Sequence, residues 1–155
     1  IYSNNKVISL EDYKNVVKTN FSDLNLKIFF EPGRSLVGSS GILISRVIRQ
    51  KKGENNNFLI IDCAMNDLIR PSMYDSYHEI FPVKRNKDKE VSYDVVGPIC
   101  ESSDTFAKQR KIGQLKRDDL LILCSVGAYG SCMSSNYNCR IPAKEILVCG
   151  SKILE

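Results

Sequence analysis

The chain has 155 residues, of which 43% are hydrophobic and 26% charged, a composition typical of one soluble globular domain. It excludes a disordered chain, a collagen-like chain and a coiled coil, and no apolar run approaches the ~18–20 residues that a membrane span needs. The net charge is only +4. The densest charged stretch, 84–90, mixes both signs, so we predict a solvated loop there and no nucleic-acid contact.

The six cysteines form no Cys-x-x-Cys pair, and His78 is the only histidine, so a Cys/His zinc site has almost no support. The cysteine density is also below that of disulfide scaffolds. We therefore predict no metal site and reduced thiols, as expected of a cytoplasmic protein.

The first predicted element is a helix that follows Ser9. Ser9 is a suitable N-cap, and Asp12 stands at the capping-box spacing. Apolar side chains then recur with helical period as far as Phe21. The apolar run 26–30 predicts a short buried strand, which a Pro-Gly pair ends. One alternative is an isolated helix that packs on the sheet predicted next.

From residue 41 onward the pattern changes to short apolar strands separated by turn residues. The predicted strands are 41–50, 58–62, 77–83, 91–96, 119–124 and 145–149, with a polar hairpin loop at 51–57 and a turn at 150–151. This succession predicts a mainly β fold, a largely antiparallel β-barrel or sandwich.

Two segments carry residues that strand packing does not explain. In the first, Gly33 would let the backbone approach an anion, Arg34 offers a bidentate grip, and Glu31 could pair with a cationic ring nitrogen. In the second, Arg70 and Tyr74 are four residues apart, so on a helical turn they share one face and could hold a carboxylate. A surface Glu–Arg pair and an Arg that snorkels from the surface are the plain alternatives.

Two further segments are of the same kind. Cys100 stands beside Glu101 after a Gly-Pro break, and a thiol can serve as a general acid when its pKa is tuned. Tyr129 stands on a turn close to two glycines, where its hydroxyl could donate to a phosphate or carboxylate. A structural buried cysteine and a packed turn aromatic are the alternatives.

Taken together, these segments resemble the C-terminal part of the diaminopimelate decarboxylase family, pyridoxal-phosphate enzymes of the alanine-racemase-like fold. The resemblance covers nearly the whole chain. It rests on FEPGRSLV at 30–37, MNDLIRP at 65–71, YDSYH at 74–78, GPICES at 97–102, GAYG at 127–130 and SNYN at 135–138. The family fold implies that 1–35 is the last helix–strand unit of a (β/α)8 barrel and 36–155 a C-terminal β-domain.

The resemblance also implies a cofactor site for pyridoxal 5'-phosphate. Glu31 would face the pyridine nitrogen and keep the ring protonated. Pro32 and Gly33 would lie with Arg34 and Tyr129 at the cofactor, and Arg34 and Tyr129 would contact the substrate as well. The family's Schiff-base lysine would lie upstream, so no lysine of this chain is assigned that role, and the chain alone is expected to be an inactive fragment.

The remaining implied roles concern the substrate, meso-diaminopimelate, which is converted to L-lysine and CO2. Arg70 and Tyr74 would hold its distal carboxylate and Glu101 its distal ammonium. Cys100 would supply the proton that replaces CO2, reaching the site from the partner subunit of a cytoplasmic homodimer. The other five cysteines have no assigned role and are interpreted as packing residues.

Several rival functions remain open on the sequence. Within the fold these are ornithine, arginine or carboxynorspermidine decarboxylases and alanine racemase. Outside catalysis, the rival is a β-domain used only for dimerisation.

Overall fold

The computed structural model describes residues 8–84 and 89–154. The helices are α1 (Leu10–Phe21), α2 (Arg34–Val37) and α3 (Arg70–Tyr74). The strands are β1 (Ile42–Lys52), β2 (Asn57–Ile61), β3 (Ile80–Pro82), β4 (Glu90–Val96), β5 (Thr105–Gly113), β6 (Leu120–Cys124), β7 (Leu147–Cys149) and β8 (Lys152–Leu154). Short 3-10 turns occupy Ser22–Leu24, Gly38–Ser40, Ser131–Met133 and Tyr137–Cys139.

Six strands form one mixed sheet in the order β3-β6-β1-β2-β4-β5. Its edge strands β3 and β5 approach each other, so the sheet is nearly closed. All neighbouring pairs in this sheet are antiparallel except β2 with β4, which run parallel. The predicted mainly β barrel or sandwich is confirmed.

The core lies inside this curved sheet, where one face of each long strand is buried. Strand β6 shows the alternation clearly, since Leu121 and Leu123 are fully buried while Leu120 is exposed. The other buried apolar side chains are Val47, Leu59, Ile61, Cys63, Leu68, Ile80, Tyr93, Val95, Phe106, Ala107, Ile112 and Leu115. Burial of this set supplies the main driving force for folding the sheet.

The helix predicted after Ser9 is confirmed as α1, and the Ser9 Oγ accepts the Asp12 N–H at 3.0 Å. The buried strand predicted at 26–30 is wrong for the described chain, where these residues form no strand and are exposed. A parallel-sheet strand requires neighbours to hydrogen-bond with, and the described residues offer none there. Phe30 instead meets Tyr13 of α1 edge-on, at 5.8 Å between ring centroids.

The remaining predicted strands are all present with altered bounds, and two strands of the structure had no counterpart in the prediction. The stretch predicted at 77–83 contains only β3, and β5 and β8 were not predicted at all. Strand β5 was missed because its middle reads Lys-Gln-Arg-Lys, which masks the apolar alternation of a strand. The loop predicted at 84–90 falls partly on 85–88, which lie outside the described residues.

No helix in the described part of the chain combines the length and hydropathy of a membrane span. Across 8–84 and 89–154, no three His, Cys, Asp or Glu side chains are grouped to hold a metal ion.

Candidate active site

The turn after β6 lies against the polypeptide that links α2 to β1. The Gly127 N–H donates to the Gly38 carbonyl and the Val126 N–H to the Gly41 carbonyl, each at 3.1 Å. A side chain at position 127 would collide with the Val37 carbonyl oxygen. Glycine is therefore required there for the close approach, which brings the Tyr129 turn next to the start of α2.

Arg70 lies between two aromatic rings at the start of α3. Its guanidinium carbon is 5.0 Å from the centroid of the Tyr74 ring and 5.1 Å from that of Tyr129. Both distances are within the range of cation–π attraction. Arg70 and Tyr74 are thus neighbours on α3, their joint role in holding a carboxylate stays a prediction, and the fold adds Tyr129 to the cluster.

The Tyr129 backbone is left-handed, with φ of +59°, a conformation that costs a non-glycine residue roughly 1–2 kcal/mol. Its hydroxyl lies 4.0 Å from the point where a side chain on Gly33 would begin. Gly33 also has positive φ, +43°. The turn thus presents the Tyr129 hydroxyl beside a stretch of backbone that carries no side chain, and strained backbone of this kind concentrates at functional sites.

Positive charge surrounds a buried histidine behind this cluster. His78 is 1% exposed, and its Nδ1 lies 2.8 Å from the Cys124 carbonyl oxygen. Burial lowers the pKa of His78, and the charges of Arg70, Arg34 and Arg110 lower it further. His78 is therefore neutral at pH 7, and the arginines supply the positive potential of this region.

The Glu101 carboxylate is exposed and is held by short-range hydrogen bonds. Its Oε1 accepts the Ser103 N–H at 3.3 Å and the Ser103 hydroxyl at 3.2 Å, while its Oε2 accepts the Tyr137 hydroxyl at 3.5 Å. The hydrogen bonds from Ser103 lower the pKa of Glu101. A carboxylate that stays ionised is suited to binding a cation.

Cys100 is exposed on the same loop, and the loop is joined to α3 because the Ser72 hydroxyl donates to the Ser103 carbonyl at 2.6 Å. Glu31 and Pro32 are exposed on the loop that leads into α2. The structure thus joins Gly33, Arg70, Tyr74 and Tyr129 in one cluster, and it places Cys100 and Glu101 on a separate loop.

No role was predicted for Tyr137, Ser103 or Arg140, although all three stand in or within two residues of motifs that carry the resemblance. Arg140 donates from Nε to the Asn66 side-chain oxygen at 3.0 Å and lies 3.8 Å from the Asp67 carboxylate. This clamp holds the segment after Met133 against the loop that precedes α3. The signal that could have revealed this contact was the polar pair Asn66–Asp67 in the motif at 65–71, together with Arg140 just after the motif at 135–138.

All six cysteines are free thiols, as predicted. Burial within the core is confirmed for Cys63, whose pKa is raised by desolvation, and Cys124 is half-buried. The expected packing role is wrong for three others, because in this chain they are exposed: Cys132, Cys139 and Cys149. They lie on turns and on the terminal hairpin, which contribute nothing to the core.

Residues 2–127 match the family model described as "Pyridoxal-dependent decarboxylase, C-terminal sheet domain". The chain is 45% identical over 144 residues to the diaminopimelate decarboxylase of Zymomonas mobilis, covering 93% of this chain and 34% of that protein.

Two crystal structures are each 42% identical in sequence to this chain. Each match covers 99% of this chain and 38% of the chain in the crystal structure. One is an Aquifex aeolicus protein, with a TM-score of 0.94. The other is a Helicobacter pylori diaminopimelate decarboxylase complexed with L-lysine, with a TM-score of 0.89. The chain thus spans little more than a third of these relatives.

Proposed function

Because the chain belongs to the family of pyridoxal-dependent decarboxylase C-terminal sheet domains, we propose that the protein of which it forms part converts meso-2,6-diaminopimelate to L-lysine and CO2. The observation that carries the substrate assignment is Arg70 held between Tyr74 and Tyr129. Relatives named diaminopimelate decarboxylase, at about 45% identity, support it.

We propose that residues 1–35 end the (β/α)8 barrel and that 36–155 form the β-domain. The exposed apolar side chains of α1 and the unpaired stretch 26–30 support this division, because both need neighbours that the described chain lacks. The rest of the barrel would supply those neighbours and the lysine that binds the cofactor.

Arg70 and Tyr74 hold the distal carboxylate of the substrate in this proposal. A guanidinium donates in a planar fork that matches a carboxylate, and the two flanking rings restrict its orientation. A diamino acid with a single carboxylate, such as ornithine, has no distal group for this pair. The cluster therefore favours a substrate that carries a carboxylate at each end.

Glu101 receives the distal ammonium, and Cys100 supplies the proton that takes the place of CO2 at the α-carbon. The lowered pKa of Glu101 supports the first role, since the carboxylate is ionised at neutral pH. The exposure of the Cys100 loop supports the second, because a thiol on the surface can reach a site in another subunit. We accordingly propose a homodimer with shared sites.

The residues at the start of α2 fit the phosphate of pyridoxal 5'-phosphate. Gly33 leaves open the space beside the Tyr129 hydroxyl, and Arg34 would bring positive charge. Pro32 fixes the loop, and Glu31 would pair with the ring nitrogen. When bound, the cofactor accepts the electron pair released as CO2 departs. Free thiols throughout the described chain support a cytoplasmic location.

The proposed binding of the substrate's distal carboxylate is tested by replacing Arg70 with alanine in the full-length parent protein. The Arg70→Ala variant should raise KM for meso-diaminopimelate roughly 10–100-fold, because a charge-assisted hydrogen bond contributes about 1.5–3 kcal/mol. Arg49→Ala, on the exposed side of β1, is the matched control and should leave KM unchanged. Equal KM values in the two variants would reject this contact.

A further inference from the structure

A buried carboxylate ends the loop that carries Cys100 and Glu101. Asp104 is 3% exposed. One of its carboxylate oxygens accepts the Met65 N–H at 2.7 Å, and the other accepts the Ile99 N–H at 3.1 Å. The two oxygens therefore join two separate segments, the loop just before Cys100 and the segment that leads toward α3.

The backbone of Asp104 closes the same loop. Its carbonyl accepts the Gly97 N–H at 2.9 Å, and its own N–H donates to the Glu101 carbonyl at 3.1 Å. A side chain at position 97 would collide with the Asp104 carboxylate. The loop from Gly97 to Asp104 is thus wrapped tightly around this one side chain, and a shift of the carboxylate must shift the loop.

The segment on the other side of Asp104 is itself fixed. Asp67 accepts the Ala64 N–H at 2.9 Å and the Ala143 N–H at 3.2 Å, one on each carboxylate oxygen. This network holds the chain on either side of Met65, at Ala64 and Asp67, so Asp104 connects the Cys100 loop to a segment with hydrogen bonds of its own.

We propose that Asp104 is a positioning residue, which sets where the Cys100 thiol and the Glu101 carboxylate stand. The inference rests on the proposed function, because it assigns these two groups to the reaction. An asparagine at this position has nearly the same shape but only one acceptor oxygen. Its amide NH2 would face the N–H of either Met65 or Ile99. That hydrogen bond would be lost, and the loop would no longer be held at that point.

The test compares Asp104→Asn with Asp94→Asn in the full-length parent. Asp94 is a matched control, since it also accepts a backbone N–H, from Gln109 at 2.7 Å, but stands on β4 before the loop begins. Asp104→Asn should lower kcat about 10–100-fold, because a small misplacement of a reacting group has effects of this size, while KM changes less. Asp94→Asn should retain kcat. Equal kcat values in the two variants would overturn the proposal.

A double-mutant cycle with Cys100→Ala separates positioning from general destabilisation. If Asp104 acts through Cys100, adding Asp104→Asn to the Cys100→Ala variant should lower kcat by less than threefold, as groups that act as a unit are non-additive. A full further loss of 10-fold or more would overturn the positioning role. If Asp104→Asn does not fold, Ser72→Ala removes another hydrogen bond to the loop, the one from the Ser72 hydroxyl to the Ser103 carbonyl. It should then lower kcat severalfold, and an unchanged kcat would count against the proposal.

Amide hydrogen exchange tests the tie without any assay of turnover. The amides of Ile99 and Met65 should exchange faster in Asp104→Asn than in Asp94→Asn. Unchanged exchange would overturn the inference even in an active enzyme. Faster exchange in a parent that does not act on meso-diaminopimelate would reject the proposed function and retain the structural tie.

Discussion

The two aromatic contacts of the Arg70 guanidinium have different origins: sequence spacing sets the contact with Tyr74, and the strand topology sets the contact with Tyr129. The four-residue interval to Tyr74 is visible in the sequence, and one helical turn converts it into contact. Tyr129 is 59 positions beyond Arg70 and arrives only because β6 ends beside the start of β1. The first contact could be predicted from the sequence, whereas the second depends on a strand order that local patterns do not encode.

The proposed role of Cys100 as proton donor can be tested directly by substitution. In the full-length parent, Cys100→Ala should lower kcat by ~10²–10⁴-fold with little effect on KM, the usual result of losing a proton-transfer group. Cys149→Ala is the control, because it removes another exposed thiol from strand β7. Steady-state kinetics on both variants decide the matter, and an undiminished kcat in Cys100→Ala would remove it from the mechanism.

His78 makes stability depend on pH in a defined direction. Burial, followed by three arginine charges, lowers its pKa in the folded protein, so below about pH 6.5 the unfolded chain binds more protons than the folded one. Stability is therefore complete above that pH and is lost as the pH falls toward the lowered pKa. Between pH 7.5 and 5.5 the Tm of the parent should fall further than that of His78→Gln. Parallel Tm curves would show that His78 does not contribute.

At the scale of elements, the site is positioned by the hydrogen-bonded contact between the turn after β6 and the segment that links α2 to β1. A methyl group on Gly127 would meet the Val37 carbonyl and lie 2.9 Å from the Ser40 hydroxyl oxygen. Gly127→Ala should thus destabilise the protein by about 1–3 kcal/mol, as overpacking does, and raise KM by moving Tyr129.

Gly150→Ala provides the comparison for that variant. Gly150 has positive φ but nothing near its missing side chain, so this change strains the β7–β8 turn without touching the site. Both variants should lower the Tm, and only Gly127→Ala should change KM. An unchanged KM in Gly127→Ala would show that this hydrogen-bonded contact does not position Tyr129.

The strands that could be predicted are those with apolar alternation, such as β4, or with a short continuous apolar run, such as β6. The parallel pairing of β2 with β4 could not, because register and direction are set by long-range contacts within the closed sheet. The same limit applies to Asp104. Its position after the Cys-Glu motif is plain in the sequence. Its hydrogen bond from the Met65 N–H, at 2.7 Å from nitrogen to carboxylate oxygen, joins residues 39 positions apart and could not be predicted.

Within residues 8–84 and 89–154, two regions rich in exposed apolar side chains stand apart from the six-stranded sheet. The apolar side chains of α1 and of 26–30 form one, and the hairpin β7–β8, with Leu147 and Ile153 both 67% exposed, forms the other. Exposed apolar surface of this extent marks interaction sites. Both regions are consistent with a chain that covers 38% of its structural relatives' length.

The most direct test of the central claim is CO2 release by the full-length parent, supplied with pyridoxal 5'-phosphate, from meso-diaminopimelate, L-ornithine and L-arginine in parallel. The account predicts that kcat/KM for meso-diaminopimelate exceeds the other two by on the order of 10²-fold or more, because only this substrate offers Arg70 and Tyr74 a distal carboxylate. A preference for ornithine or arginine, or no release from meso-diaminopimelate, would contradict it.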